Sequence, residues 1–214
     1  MKKRIIIGLV GETGSGKDTV AEYLAKEYGA ELMRFADPIK DTLSIYFDKL
    51  SKEDQSWLYL VFKARFGDDI LARAMAKRVE DSESDLIIIN GVRMPSDYDF
   101  VKKYSDAHIL YVTVDQKIRW ERIANRGEKT DDKISFEKFQ ELDRQETEKH
   151  IPEIGAKADR VIRNEKDLNH LLSEADVYMN ELGVSRKFEE IKEQHEIVGE
   201  IPDFQAQMEK AGKE

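Results

Sequence analysis

The sequence predicts an α/β fold: a parallel sheet covered by helices on both faces, three layers in all. Three observations carry that expectation. Apolar runs of strand length recur at 5–10, 86–90 and 108–114, nearly continuous as in strands buried on both sides. Stretches with helical spacing of apolar residues separate them. Turn and capping residues mark the passages between the two patterns, most densely at 11–16. Strands that alternate with helices imply a parallel sheet with right-handed crossovers.

The elements follow in order. Ile5-Ile6-Ile7-Gly8-Leu9-Val10 is the first strand, and a glycine-rich loop runs from Gly11 to Gly16. Val20, Tyr23 and Leu24 recur at helical spacing, and Gly29 is placed to stop that helix. Residues 30–35 predict a second short strand. Asp37-Pro38 reads as an N-cap followed by proline at the first helical position, opening a helix to about Phe47. Ser51-Lys52-Glu53-Asp54 is the start of a second helix, of capping-box type. Asp68 and Asp69 begin a third, with Ile70, Leu71, Ala74, Met75 and Val79. Residues 37–82 are therefore expected to form a helical insertion between strands. Beyond the strand at 86–90, Pro95-Ser96-Asp97 opens a helix. After the strand at 108–114, Asp115 caps a helix to about Arg126, with Gly127 ending it. Residues 127–150 are very polar and predict a mobile, partly helical flap. A last strand at 159–162 and a helix over 166–182, stopped by Gly183, complete the pattern.

With 214 residues, one domain over 1–183 and a charged tail over 184–214, a peripheral helix or partly disordered, is the expected organisation. An apolar fraction of 40% supports a buried core, and 37% charged residues gives a well-solvated surface. The 35 Lys and Arg against 44 Asp and Glu give a net charge of −9, which argues against bulk nucleic-acid binding. No apolar run approaches the roughly 20 residues of a membrane span. The basic start Met1-Lys2-Lys3-Arg4 is followed by too short an apolar stretch for a signal peptide. The absence of cysteine excludes disulfides, thiol catalysis and zinc-thiolate sites, and these features together fit a cytoplasmic protein. The four histidines show no metal-ligand spacing.

Gly11-Glu12-Thr13-Gly14-Ser15-Gly16-Lys17 carries the chemistry: two glycines bracket four residues and a lysine follows. Glycines permit backbone angles that turn successive N–H groups inward, and the helix beyond adds its positive end. Lys17 then reaches the β- and γ-phosphates of a nucleoside triphosphate. The general pattern places Ser or Thr after the lysine to ligate Mg²⁺, but here Asp18 stands there, with Thr19 next. Asp18 could meet the ion directly or through water, or Thr19 could substitute. Alternatively Asp18 only complements the helix dipole.

Ser15-Gly16-Lys17-Asp18-Thr19, with Phe35-Ala36-Asp37-Pro38-Ile39-Lys40-Asp41, resembles the phage-type deoxynucleoside monophosphate kinases. Animal-type phosphomevalonate kinases show a similar pair of motifs. Asn90-Gly91-Val92-Arg93 and Ala158-Asp159-Arg160-Val161-Ile162-Arg163-Asn164 resemble dephospho-CoA kinase-like and adenylate-kinase-related proteins. The resemblance spans about residues 4–182. It implies a P-loop nucleotide kinase using ATP and Mg²⁺, with the insertion 37–82 binding the acceptor and a lid at about 127–150.

On that resemblance Asn90, at a strand end, takes the place of a carboxylate near the metal; otherwise it is a polar residue closing a buried strand. Arg93 resembles the arginine that meets the acceptor's phosphate, for which a bidentate guanidinium is suited. Asp37 and Lys40 face the acceptor by the same resemblance, the plain alternative being a cap and a solvated lysine. Arg65 and Arg73 are candidates to complete an acceptor-phosphate pocket. Arg119, Arg122 and Arg126, spaced by three and four, share a helix face, and Arg144 lies beyond the flap. They can serve a closing lid that brings positive charge to the moving phosphoryl group, or form a solvated face balanced by Glu121 and Glu128. By the same resemblance the loop Arg163-Asn164-Glu165 corresponds to the one that contacts adenine, a simple turn being the alternative. Trp57, Tyr59 and Phe62 are expected to pack within the insertion, with stacking on an acceptor base as the alternative.

The expected activity is transfer of the γ-phosphoryl of Mg-ATP to a small phosphorylated acceptor, foremost a (deoxy)nucleoside monophosphate, by a monomer or homodimer. Dephospho-CoA and phosphomevalonate are the rival acceptors. A P-loop ATPase or switch without a small-molecule acceptor is the reading from another class.

Overall fold

A computed structural model describes residues 4–126, 135–145 and 148–187. Five parallel strands form one sheet in the order β2-β3-β1-β4-β5, with β1 Ile5–Val10, β2 Glu31–Arg34, β3 Leu86–Val92, β4 Ala107–Thr113 and β5 Arg160–Arg163. Alternation along the strands divides the core, because successive side chains leave opposite faces. Ile7 and Leu9 of β1, with Ile88, Leu110 and Ile162, pack against α1 (Lys17–Tyr28) and α9 (Leu168–Glu181). Ile6 and Val10, with Ile87, Ile89 and Ile109, pack against α4 (Ile70–Asp81), α5 (Pro95–Lys102) and α8 (Ile151–Gly155). Each fully buried isoleucine or leucine contributes about 1.5–3 kcal/mol, so the isoleucines and leucines of β1 and β3 anchor both layers.

The insertion predicted at 37–82 consists of α2 (Asp37–Ser44), α3 (Lys52–Phe66) and α4. Ser51 caps α3 as expected, accepting from the Asp54 amide at 2.9 Å. Two expectations here are corrected. Asp37 is inside α2 rather than its cap: Ala36 precedes the helix, and the Asp37 carboxylate accepts the Arg34 amide at 2.7 Å, tying α2 to the end of β2. The helix also ends at Ser44, not near Phe47. Ile39, Leu43 and Leu58 form a small core of their own, joined by Tyr59 and Phe62. Trp57 is 61% exposed and does not pack as expected; its neighbours on the same outer surface include Leu60 at 60%.

After β4, Asp115 accepts from the Lys117 amide at 2.8 Å at the start of α6 (Gln116–Arg126). Residues 127–134 of the expected flap lie outside the described residues. The next segment is α7 (Phe136–Asp143), packed through Phe139 at 2% exposure, so this part of the flap is a docked helix. At the far end, Arg186 donates to Tyr23 Oη at 2.6 Å and pairs with Asp176, which both Tyr23 and Tyr28 also reach at 2.7 Å. The start of the tail is thus pinned to α1 and α9, and residues 188–214 lie outside the described residues. No helix among the described residues is long and apolar enough to cross a membrane.

Candidate functional site

The loop between β1 and α1 has the geometry its glycines foretell. A Cβ on Gly11 would lie 2.5 Å from the Val112 carbonyl and 2.7 Å from Ser15 Oγ, so only glycine lets the backbone pass there. Gly16 caps α1 at φ 96°, in the left-handed region, and supplies no side chain to the helix's first amides. Those amides are left facing outward, the arrangement that receives an anion. Ser15 Oγ is buried without a partner among the described residues. The loop is braced from behind: the Asn164 side chain, just beyond β5, donates to the Ser15 carbonyl at 2.8 Å.

Lys17 opens α1 at 6% exposure. Burial lowers its pKa, opposed by Asp18, while the Arg93 charge pushes the same way as burial. Its ammonium donates to Asp18 Oδ1 at 3.2 Å. The Asn90 amide donates to that same oxygen at 2.7 Å. Burial pushes the Asp18 carboxyl up, but Lys17 and Asn90 outweigh it and hold it below the usual range. Asn90 is 3% exposed, and its Oδ1 is buried without a partner among the described residues. It does not end its strand as expected: β3 continues to Val92, and Asn90 stands in register with Leu9 and Arg34. Asn90 is brought to Asp18, not to Thr19.

A divalent cation fits this pair. Asp18 offers one carboxylate and Asn90 one unpartnered oxygen, and Mg²⁺ is usually held by one or two carboxylates together with substrate phosphates and water. A dedicated cage is absent among the described residues, which contain no cluster of three or more metal-ligating His, Cys, Asp or Glu.

Thr19 lines a cleft of about 460 Å³ with Glu12, Gly14, Gly16, Lys17, Asp18, Arg122 and Asn164 among its walls. Arg122 donates to the Asn164 carbonyl at 2.9 Å, so α6 and the loop after β5 close one side of it together. Thr13 is exposed at the loop's tip. Glu12 turns back toward β4, accepting from Tyr111 Oη, and Thr113 Oγ1 approaches the same oxygen at 3.4 Å. Burial and that bond push the Tyr111 hydroxyl up to about 12.

The arginines expected in a lid divide. Arg119 is 5% exposed and gripped by the Asp143 carboxylate of α7, with one contact at 3.0 Å; it also reaches the Thr13 carbonyl at 3.2 Å and lies over the Phe139 ring at 5.2 Å. It is a strut joining α6, α7 and the loop rather than a mobile lid cation. Arg122 faces the cleft. Arg144 is exposed and lines a second cavity, of about 550 Å³, with Glu12, Arg119, Asp143 and Glu148. Arg126 closes α6, and its side chain lies outside the described residues.

Arg93 follows β3 and pairs with Glu148, in the turn before α8. Burial raises the Glu148 carboxyl despite Arg93 and Lys17. The insertion residues are farther removed. Arg73 is held locally by the Phe66 carbonyl and Asp69, and Arg65 is exposed. Lys40 and Asp37 are half-buried on α2. None of these four lines either cavity beside the loop.

Glu148, Asp143 and Tyr111 were missed by sequence reasoning. The two acids sit in a stretch dense in charge, where no periodicity separates a paired carboxylate from a solvated one. Tyr111 had a signal, a hydroxyl at mid-strand in an otherwise apolar run, but only the sheet shows that it meets Glu12.

A buried lysine on a glycine loop between β1 and α1, in a five-stranded parallel sheet of this order, defines a P-loop kinase-like α/β fold. Residues 7–149 match the family model described as an AAA domain, and the chain belongs to that family. A UPF0200 protein of Methanocaldococcus jannaschii is 26% identical over 180 residues, covering 83% of this chain and 90% of its own length. Among solved structures, TT1252 from Thermus thermophilus superposes with a TM-score of 0.57 at 19% identity, over 85% of this chain and 99% of its own. A shikimate kinase from Bacteroides thetaiotaomicron gives 0.53 at 16%, over 84% and 98%. These likenesses establish the fold.

Proposed function

We propose that the protein is an ATP-dependent phosphotransferase that moves the γ-phosphoryl group of Mg-ATP onto a small phosphorylated acceptor, with a (deoxy)nucleoside monophosphate preferred. One observation carries the reading: the Lys17 ammonium is buried at the start of α1 on the glycine loop, paired only with Asp18 at 3.2 Å among the described residues, and the Arg93 charge is near enough to oppose its own. Two cations so placed suit an anion on each side of a transfer, a triphosphate on the loop and a phosphate on the arginine. The shikimate kinases among the structural neighbours, one of them in complex with shikimate, support a small-molecule acceptor.

On this reading the loop amides and Lys17 hold the phosphates, and Arg122 with Asn164 and Thr19 borders the nucleotide. Asp18 and Asn90 hold Mg²⁺, which neutralises charge on the phosphates when bound. Arg93 orients the acceptor, and the insertion carrying Asp37, Lys40, Arg65 and Arg73 closes on its remainder. Catalysis is positioning and electrostatic stabilisation, and a covalent intermediate is unnecessary. The lid expected at about 127–150 belongs to this reading, with Arg122, Arg126 and Arg144 as its cations, although α7 within it is docked through Phe139. The protein works in the cytoplasm as a monomer or homodimer.

The test is ADP formation from Mg-ATP across a panel of ribo- and deoxyribonucleoside monophosphates, dephospho-CoA, phosphomevalonate and shikimate, with Lys17→Ala as control. Strong stimulation by one acceptor, lost in the variant, is the expected result. Slow ADP release indifferent to every acceptor would shift the reading to an ATPase or switch.

A further inference from the structure

Arg93 stands where the acceptor's phosphate belongs on the proposed reading, yet its guanidinium is already engaged. It donates to Glu148 Oε1 from beside Lys17. The pair is lopsided. The Arg93 side chain is 36% exposed, whereas that of Glu148 is 11% exposed and its Oε2 is buried with no partner among the described residues. A buried carboxylate oxygen that no donor meets bears a desolvation cost that one ion pair does not offset. Burial is accordingly the dominant influence on this carboxyl and raises it. A phosphate offers Arg93 more than Glu148 does, through several acceptor oxygens, bidentate geometry and a second charge. The two anions compete for one guanidinium, because their like charges repel when both are held against it.

We propose that Glu148 determines acceptor specificity by occupying the acceptor-phosphate position on Arg93 and giving it up only to an acceptor's phosphate group. Its carboxylate is the protein's own stand-in for that phosphate. A bare anion must displace Glu148 with nothing else to gain, while a true acceptor adds the contacts of its remaining atoms. The site thereby discriminates against free phosphate, which is abundant wherever ATP is used. The inference rests on the kinase reading.

The experiment titrates inorganic phosphate into the full chain with the loop filled by Mg²⁺ and the non-hydrolysable analogue AMP-PNP, read by calorimetry. Wild type, Glu148→Gln, Glu148→Ala and the double variant Arg93→Gln/Glu148→Gln are compared. Both single variants are expected to bind phosphate at least tenfold more tightly than wild type, and the double variant to lose the gain. Unchanged or weaker binding in both single variants overturns the proposal; weaker binding is the sign expected if Glu148 merely holds Arg93 in place. A gain that survives without Arg93 overturns it as well. The AMP-PNP titration, performed first, reports separately on the kinase reading: a chain that binds no AMP-PNP sinks that reading, while the phosphate series alone decides the role of Glu148.

Discussion

The Asn90 side-chain amide, from β3, donates to Asp18 Oδ1 at 2.7 Å across 72 residues of sequence. It fixes the carboxylate that pairs with the loop lysine and leaves its own Oδ1 buried without a partner among the described residues. Asn90→Asp would set two carboxylates in contact. Without metal their repulsion is expected to lower the melting temperature, and Mg²⁺ with ADP to restore it. Thermal melts in EDTA and in excess Mg²⁺ check this. Equal melting under both conditions would remove the pair from the metal site.

Arg119 and Arg122 lie three residues apart on α6 but have different work. Arg119→Ala leaves Asp143, whose side chain is 16% exposed, with the Gln116 amide at 2.8 Å in place of a charged partner, and is expected to cost about 3 kcal/mol in urea unfolding, as breaking a buried pair does. Arg122→Ala removes a cleft-side cation and is expected to weaken binding of a fluorescent ATP analogue by about tenfold with little change in stability. Reversed outcomes would exchange the two assignments.

Gly155 closes α8 against β4. A Cβ there would stand 2.4 Å from the Tyr111 ring, which is held in turn by Glu12. Gly155→Ala is therefore expected to lose about 1–3 kcal/mol by overpacking. It should also disturb nucleotide affinity, because the displaced ring carries Glu12 with it. Denaturant unfolding and nucleotide titration read the two effects independently.

The Glu148 carboxyl is raised above its ordinary value of 4.5 by burial. A folded-state pKa above the unfolded one means that ionisation costs stability, and the cost appears as pH rises from the unfolded value through the folded one. Glu148→Gln cannot ionise. Its melting temperature relative to wild type is expected to become more favourable between pH 4 and pH 8, the two proteins converging at the acid end. A difference independent of pH would show that the carboxyl is not so perturbed.

Lys17→Ala is expected to weaken ATP binding by about tenfold to a hundredfold, the scale of a charge-assisted contact. Removing a buried cation also relieves desolvation, so the variant should melt no lower than wild type. Equilibrium binding and a thermal melt on the same sample check both statements.

The sequence by itself determined the strands, the glycine loop and the helical insertion. Each is a local pattern: an apolar run such as 5–10, a spacing of glycines before Lys17, or a cap such as Ser51. Local patterns survive without knowledge of the fold, because backbone conformation and burial period depend on near neighbours. The true role of Asp37 was already less legible, since its side chain reaching back to β2 decided it. Only the tertiary structure could decide which charges meet. Asn90 finds Asp18, Arg119 finds Asp143 and Arg93 finds Glu148 across 72, 24 and 55 residues. Nothing in a charged stretch distinguishes a buried partner from a solvated one. The difference is desolvation, which arises only once the sheet, α6 and the turn before α8 have been brought together.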